Sequence, residues 1–210
     1  MMVWRVIACV VLGYLFGGWN GAIIISRRKM HEDVRSKGSG NAGMTNFLRS
    51  YGGWATLLVV AVDAFKTVAA CLIAALLMPQ DPQLGKMIAG FAVQIGHIFP
   101  IYYGFRGGKG ILCAAFVALT VDWRIFAIAF ALFLIIFFTT RYVSLASISA
   151  CVVYAALFVV FFWGRPQIWS IGVAIAALAV FMHRSNIVRL VQGRERKTHF
   201  HKYKNEEEAS

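Results

Sequence analysis

Three polar segments interrupt an otherwise apolar chain, and each combines residue types able to hold an oxyanion. The first, Asp33 to Arg49, contains Gly38, Ser39, Gly40, Asn41, Gly43, Thr45, Asn46 and Arg49. Its glycines leave backbone N–H groups bare, and Thr45, Asn46 and Arg49 have a spacing suited to one helical face. Amides could wrap the oxygens of a phosphate while the Arg fork closes on them. A flexible interfacial loop with a snorkelling Arg has a similar composition. The glycines also read GxGxxG, but the charged residues from Ser26 to Lys37 cannot be the strand a dinucleotide fold requires there.

The second segment runs from Gly96-His97-Ile98-Phe99-Pro100 into Phe105-Arg106-Gly107-Gly108-Lys109-Gly110. No Ser or Thr follows Lys109 and Tyr103 stands where a Walker loop has Gly, which excludes a P-loop NTPase. Gly107, Gly108 and Gly110 around Lys109, at the start of an apolar helix, still offer amides and a positive dipole end to an anion. His97 fits a helix-packing role equally well. In the third segment His183, Asn186 and Arg189 step by three and share one side of a continued helix; taken alone, a solvated juxtamembrane helix explains them better. Asp63 and Lys66 lie three apart inside an apolar run, where charges must pair or face a polar cavity. Ser144 and Ser147 open a later run and as lone serines read as helix-packing residues.

The elements that must position these groups are membrane helices. The chain is 60% hydrophobic and only 14% charged, against roughly 25% charged in soluble domains, and mean hydropathy is +0.69. Apolar runs cover Val3–Ile25, Trp54–Met78, Lys86–Tyr103, Ile111–Val121, Ile125–Phe138, Val143–Phe162 and Ile168–Met182. The fourth and fifth are shorter than the roughly 20 residues a bilayer asks for, so they could instead be one helix kinked at Asp122-Trp123-Arg124. The first run ends in Ser26, Arg27, Arg28 and Lys29 without a cleavage site, so it is a retained helix rather than a signal peptide.

Positive charge decides the count, because Lys and Arg collect in short cytoplasmic loops. With seven crossings, only Arg5, Lys86, Arg124 and Arg165 fall outside, and the segments bearing Arg49, Lys109, Arg141 and the basic tail fall inside. The sequence therefore predicts an all-α integral membrane protein of seven short transmembrane helices, N-terminus outside and C-terminus cytoplasmic. It divides into a membrane domain, 1–193, and a basic then acidic tail, 194–210, expected to be disordered. The net charge of +12 suits orientation and anionic lipid headgroups and does not imply nucleic-acid binding. Cys9, Cys71, Cys113 and Cys151 each lie alone in an apolar run and read as packing residues, so no metal, cofactor or disulfide is expected.

In order along the chain, DVRSKGSGNAGMTNFLR, DAFK, GHIFPIYYGFRGGKG, RYVSLASI and HRSNIVRLVQGRE resemble the bacterial membrane glycerol-3-phosphate acyltransferases that use acyl phosphate as donor, the PlsY family. The resemblance implies transfer of a fatty acyl group to the 1-hydroxyl of glycerol 3-phosphate, giving lysophosphatidic acid and phosphate, at the cytoplasmic face of the bacterial inner membrane. It implies acyl phosphate and glycerol 3-phosphate as substrates, lipid as surroundings, and a monomer. Ser39, Asn41, Thr45 and Asn46 would contact phosphate or polar headgroup, with Gly38, Gly40, Gly43, His97, Gly107, Gly108 and Gly110 shaping the binding loops. Arg49 and Lys109 would neutralise charge, and Ser147, His183 and Asn186 would complete the pocket.

The soluble-type acyltransferase signature, a His with Asp five positions on, follows none of His31, His97, His183, His199 or His201, and no residue is an obvious nucleophile or general base. Three departures from the family pattern stand out. Gly17-Gly18-Trp19-Asn20 replaces GSIP and lacks the kinking proline, Met44 replaces a small residue, and Arg106 replaces a Lys. A small membrane anion carrier is the alternative from another class, since it too wants glycine-broken helices and buried charge.

Overall fold

The computed structural model describes residues 2–198, and these form helices joined by short turns, with no strand among the described residues. The helices are α1 (Met2–Gly17), α2 (Gly21–Lys29), α3 (Met44–Tyr51), α4 (Gly53–Leu77), α5 (Pro82–Ile98), α6 (Ile111–Val121), α7 (Trp123–Thr140), α8 (Val143–Phe161), α9 (Pro166–Met182) and α10 (Arg184–Val191). Five spans are long and apolar enough to cross a bilayer, the first combining α1 and α2, and α9 with α10 makes a sixth if that pair, bent by 56°, counts as one. In hydrocarbon every backbone polar group must be satisfied within its own segment, which makes the helix the default for such a sequence.

The first apolar run, expected as one helix over Val3–Ile25, is broken at Gly18–Asn20 even though no proline is present. The Asn20 side chain caps α2 by accepting from Ile23 N at 3.1 Å, so a cap supplies the stop and restart that a proline would otherwise impose. Met78 and Leu77 give way to a turn closed by Asp81, whose carboxylate accepts from Leu84 N at 3.1 Å ahead of Pro82, the first residue of α5. Pro is well placed there because the first helical N–H has no partner to lose.

The α6–α7 junction is a hairpin and not a kink. Asp122 is extended and caps α7 through Arg124 N. Thr120, near the end of α6, accepts from Lys86 at the start of α5, whereas Arg141, just past α7, meets Thr198 beside the site described below. The two helices therefore run in opposite directions along the bundle. Polar groups accordingly gather at two ends. One end holds Arg5 with Gln80 at 2.8 Å and Arg165 with Asp81 at 2.5 Å and Gln83 at 2.6 Å. The 25-residue α4 separates this end from the glycine loops by about 37 Å at about 1.5 Å per residue.

Small residues set the closest helix approach. Along α1, Gly13 and Gly17 face Ala89, Ala92 and Val93 of α5, and a Cβ on Gly96 would strike the carbonyl of Tyr14. Without a hydrophobic drive between helices in lipid, this close van der Waals contact is the main adhesive. A larger core surrounds Val117, Ile125, Phe158, Ile168 and Ile175, joining α6, α7, α8 and α9. All four cysteines are free and buried. Gly96→Val should cost about 1–3 kcal/mol by overpacking against backbone, lowering the thermal unfolding midpoint in detergent. Gly164→Ala, with open space around its Cα, should leave that midpoint unchanged.

Candidate active site

The first glycine loop is fastened from both sides. Asp33 accepts from Arg35 N at 2.9 Å and binds the guanidinium groups of Arg27 and Arg35 at 2.9 and 2.8 Å, which holds its carboxyl well below the usual carboxylate range. Arg35 in turn donates to the carbonyls of Tyr103 at 2.7 Å and Arg106 at 3.1 Å, tying this loop to the second. Inside the loop Asn46 accepts from Ser39 N at 2.9 Å and donates to Val34 O and Lys37 O at 3.1 and 3.0 Å. Gly38 is left-handed at φ +61°, and a Cβ there would collide with Asn46. With both amide hydrogens and its oxygen engaged, Asn46 positions the loop; the substrate contact expected of its side chain is already filled by protein.

The second loop lies against the first. Gly107 N and Gly108 N donate to Ile98 O and His97 O at 3.0 and 3.1 Å, and Ala42 N donates to Gly107 O at 3.3 Å. Gly108 is wedged between the His97 ring and the Ala42 carbonyl, where no Cβ fits. It supports the loop from behind, and alone among the sixteen expected site residues it does not line the cavity.

That cavity has a volume of about 1210 Å³ and two chemically distinct parts. Its polar end holds Ser39, Asn41, Thr45, Arg49, Lys109, Ser147, His183 and Asn186, and its apolar arm runs between α6, α7 and α8 past Leu112, Phe116, Phe130, Phe133 and Tyr154. Three helices open on it, α3, α6 and α8, and none has a side-chain cap. Their first-turn N–H groups lack helical acceptors and present positive dipole ends, an arrangement suited to anions. At the far end of the bundle α5 and α7 are capped by Asp81 and Asp122.

Lys37, Arg49, Arg106, Lys109, Arg184, Arg189 and Arg196 line the cavity, and Glu195 is the carboxylate at the rim among them, ion-paired with Arg189. Glu195 accepts from Ser144 Oγ, Asn186 Nδ2 and Arg189 Nε, each at 2.8 Å, and these bonds hold its pKa below the ordinary value despite burial. Asn186 uses its oxygen to accept from Lys109 Nζ. Arg49 donates to Arg196 O at 3.0 Å and Thr198 Oγ1 at 2.9 Å. Burial lowers the Lys109 pKa to about 8, with Glu195 opposing and Arg189 and Arg49 reinforcing the shift. His183 directs Nδ1 at the Ala179 carbonyl at 2.8 Å, so that nitrogen carries the proton and Nε2 is the acceptor. Among the described residues no cluster of His, Cys, Asp or Glu could hold a metal ion.

The expected tail boundary at 193 falls inside this site. Arg194 to Thr198 cross the cavity rim, with Glu195 and Thr198 buried, while 199–210 lie outside the described residues. Sequence reasoning also read Ser144 as a packing residue, whereas its hydroxyl binds Glu195. The available signal was one acidic residue among Arg194, Arg196 and Lys197, a pattern expected where a carboxylate is needed to organise several cations.

A family model described as glycerol-3-phosphate acyltransferase matches residues 7–193. The chain belongs to the glycerol-3-phosphate acyltransferase family. A glycerol-3-phosphate acyltransferase of Thermoanaerobacter sp. (strain X514) is 43% identical over 187 residues, 89% of this chain and 92% of that one. One from Lactiplantibacillus plantarum is 36% identical over 199 residues, 93% of each chain. The crystal structure of PlsY (YgiH), an integral membrane glycerol 3-phosphate acyltransferase in its glycerol 3-phosphate form, superposes with a TM-score of 0.84 at 33% identity, covering 92% of this chain and 96% of that one. Its lysophosphatidic acid form gives 0.80 at 32% identity, with 93% and 96% covered. This chain is thus a multi-pass membrane member of the acyltransferase family.

Because Lys109 attracts an anion only when protonated, kcat/KM for an anionic substrate should decline as pH rises through about 8. Lys109→Arg, whose guanidinium stays charged, should show a lower plateau without that alkaline limb. A limb unchanged in the variant would assign it to another group. The same depressed pKa means that burying the charged amine opposes folding below about pH 8, an opposition relieved as pH rises toward the unfolded-state value.

Proposed function

We propose that this chain transfers the fatty acyl group of an acyl phosphate to the 1-hydroxyl of glycerol 3-phosphate. The observation that carries the reading is one cavity in which two separate cations, Arg49 and Lys109, and three uncapped helix N-termini adjoin an apolar arm. Two phosphate-bearing substrates, one with a tail, need two cationic holes beside an apolar slot. The acyl chain lies in the arm, and the donor phosphate sits by Lys109 and the N-terminus of α6 at Gly110. The acceptor phosphate is held by Arg49 and the Ser39–Thr45 loop.

The 1-hydroxyl oxygen attacks the acyl carbon, the bond from that carbon to the phosphate oxygen breaks, and inorganic phosphate leaves with the hydroxyl proton. His183 Nε2 and the Ser147 hydroxyl orient the attacking group. An acyl phosphate is an activated anhydride, so no enzyme nucleophile is needed, and rate comes from orientation and from charge stabilisation of the tetrahedral intermediate and the departing phosphate. A coenzyme A thioester would bring a nucleotide handle for which the short loops leave no pocket. The rival carrier reading needs a polar path to both ends, yet Asp81 and Arg165 at the far end are paired with each other and line no part of the cavity.

The topology that goes with this function has seven crossings, the short α6 among them, with the cavity cytoplasmic. It is supported by the concentration of cations at the cavity end. In a chain carrying one introduced cysteine, a membrane-impermeant thiol reagent should label position 81 in intact cells and position 39 only in inverted vesicles. Finding positions 39 and 107 on opposite faces would end the single-site reading.

The decisive assay uses purified protein in detergent with acyl phosphate and glycerol 3-phosphate, following phosphate release. Turnover with acyl phosphate and none with acyl-CoA is the expected result, with inorganic phosphate competing. Arg49→Ala and Lys109→Ala should each lose about 2–5 kcal/mol of transition-state stabilisation. A comparable rate with acyl-CoA would withdraw the donor assignment and the role given to the Gly107–Gly110 loop.

A further inference from the structure

Where α1 breaks, its last carbonyls and the first N–H groups of α2 lie within the bundle, and one buried ion pair satisfies both. Lys66 Nζ donates to Gly17 O at 3.2 Å and Trp19 O at 2.9 Å, while Asp63 Oδ1 accepts from Gly21 N at 3.2 Å. The two charges meet at 2.7 Å with side-chain exposures of 0% and 1%. Lys66 is also 2.8 Å from His97 Nδ1. His97 reaches onward, because its carbonyl accepts from Gly108 N and its ring is the surface on which Gly108 rests.

From the second loop the contacts return to their origin. Gly107 O accepts from Ala42 N, and Ala42 O accepts from Asn20 Nδ2 at 3.0 Å. Asn20 is the cap of α2, one residue before Gly21. The circuit Asn20, Ala42, Gly107, Gly108, His97, Lys66, Asp63, Gly21 is therefore closed, and both glycine loops hang from it. We propose that Asp63, Lys66, His97 and Asn20 are positioning residues that fix the separation of the two loops, and hence the distance from the attacking hydroxyl to the acyl carbon.

A closed circuit of this kind has a specific kinetic signature. Each loop keeps its own cation and the helix N-terminus beside it when the circuit opens, so each substrate still binds. What is lost is their mutual alignment, so kcat falls and KM stays. A misplacement of about 1 Å can cost about 100-fold in rate. The cap and the tether made by Asn20 can be separated, because serine caps a helix as well as asparagine does but is too short to reach Ala42.

The test measures turnover of Asn20→Ser, His97→Asn, His97→Ala and the double variant Asp63→Asn/Lys66→Met, with whichever acyl donor supports activity, beside the thermal midpoint of each. Asn20→Ser keeps the cap but leaves Ala42 O without its donor, so its midpoint should fall modestly, with both KM values unchanged and kcat lower by about 10-fold or more, the scale of a small misalignment. His97→Asn, whose amide can occupy the place of Nδ1 against Lys66, should retain more kcat than His97→Ala. The double variant should lose kcat at least as much as Asn20→Ser. If it does not fold, the Asn20 and His97 comparisons decide alone. Unchanged kcat in Asn20→Ser, equal kcat in the two His97 variants, or losses confined to the midpoint would each overturn the proposal. Because the donor is left free, absence of turnover with acyl phosphate would strike the donor assignment and leave this test standing.

Discussion

A helix that stops inside a membrane protein leaves carbonyls at one stump and N–H groups at the next, with no water to accept them. In this protein Lys66 and Asp63 meet that demand at the α1–α2 break. Each charge is balanced by its partner, and the three N–H groups of the ammonium are shared among Asp63, two carbonyls and a ring nitrogen, while Asp63 Oδ2 is buried with no hydrogen-bond partner, so the pair is fully satisfied on the lysine side alone. Replacing one partner alone would strand the other in low dielectric, which is costlier than losing both. The break directs α2 and the loop after it to where Ala42 meets Gly107. The geometry of the phosphate loops therefore begins in the middle of α4, at the wall of the cavity that Asp63 and His97 line.

A second charge arrangement governs the rim of the site. Arg49, Lys109, Arg189 and Arg196 would repel one another if left to themselves, and Glu195 offsets part of that repulsion by pairing with Arg189 and, through Asn186, holding Lys109. It binds α8 through Ser144 and α10 through Asn186 and Arg189, so the orientation of Lys109 depends on a residue two positions beyond Gly193. The positive excess needed for anions is thereby kept at a level the fold can hold. The 56° bend between α9 and α10 is what turns Asn186 and Arg189 toward that carboxylate.

Fold class was legible because a membrane leaves few options: long apolar runs must be helices. The break at Gly18–Asn20 was less so, since its cause is a side-chain cap completed by a lysine far along the chain, and neither helical period nor hydropathy registers it. The site was legible where local composition implies function, as in the glycine-rich loops Gly38 to Gly43 and Gly107 to Gly110, but the amides of Ser39, Gly40, Ala42, Gly43, Gly107 and Gly108 are taken by protein acceptors and so shape the loops instead of facing a ligand. It was illegible where the partner is distant. Asn46 reads as a ligand until its three hydrogen bonds to loop backbone are seen, and Glu195 reads as tail until Ser144, Asn186 and Arg189 are seen around it.

The apolar arm has an aromatic edge. Phe126, Phe130, Phe133 and Phe137 stack along α7 at centroid spacings of 5.4, 6.2 and 6.0 Å, and Phe130, 45% exposed, lines the cavity. On the proposed function, an acyl tail in the arm would lie against this aromatic row on a helix that itself spans the bilayer. On the proposed reading one substrate reaches the site from water in three dimensions and the other from the leaflet in two. The concentration that matters for the second is its fraction of the surrounding amphiphile. Adding empty micelles at constant total donor would weaken its apparent binding without disturbing any contact to the protein, while leaving the water-borne substrate unaffected.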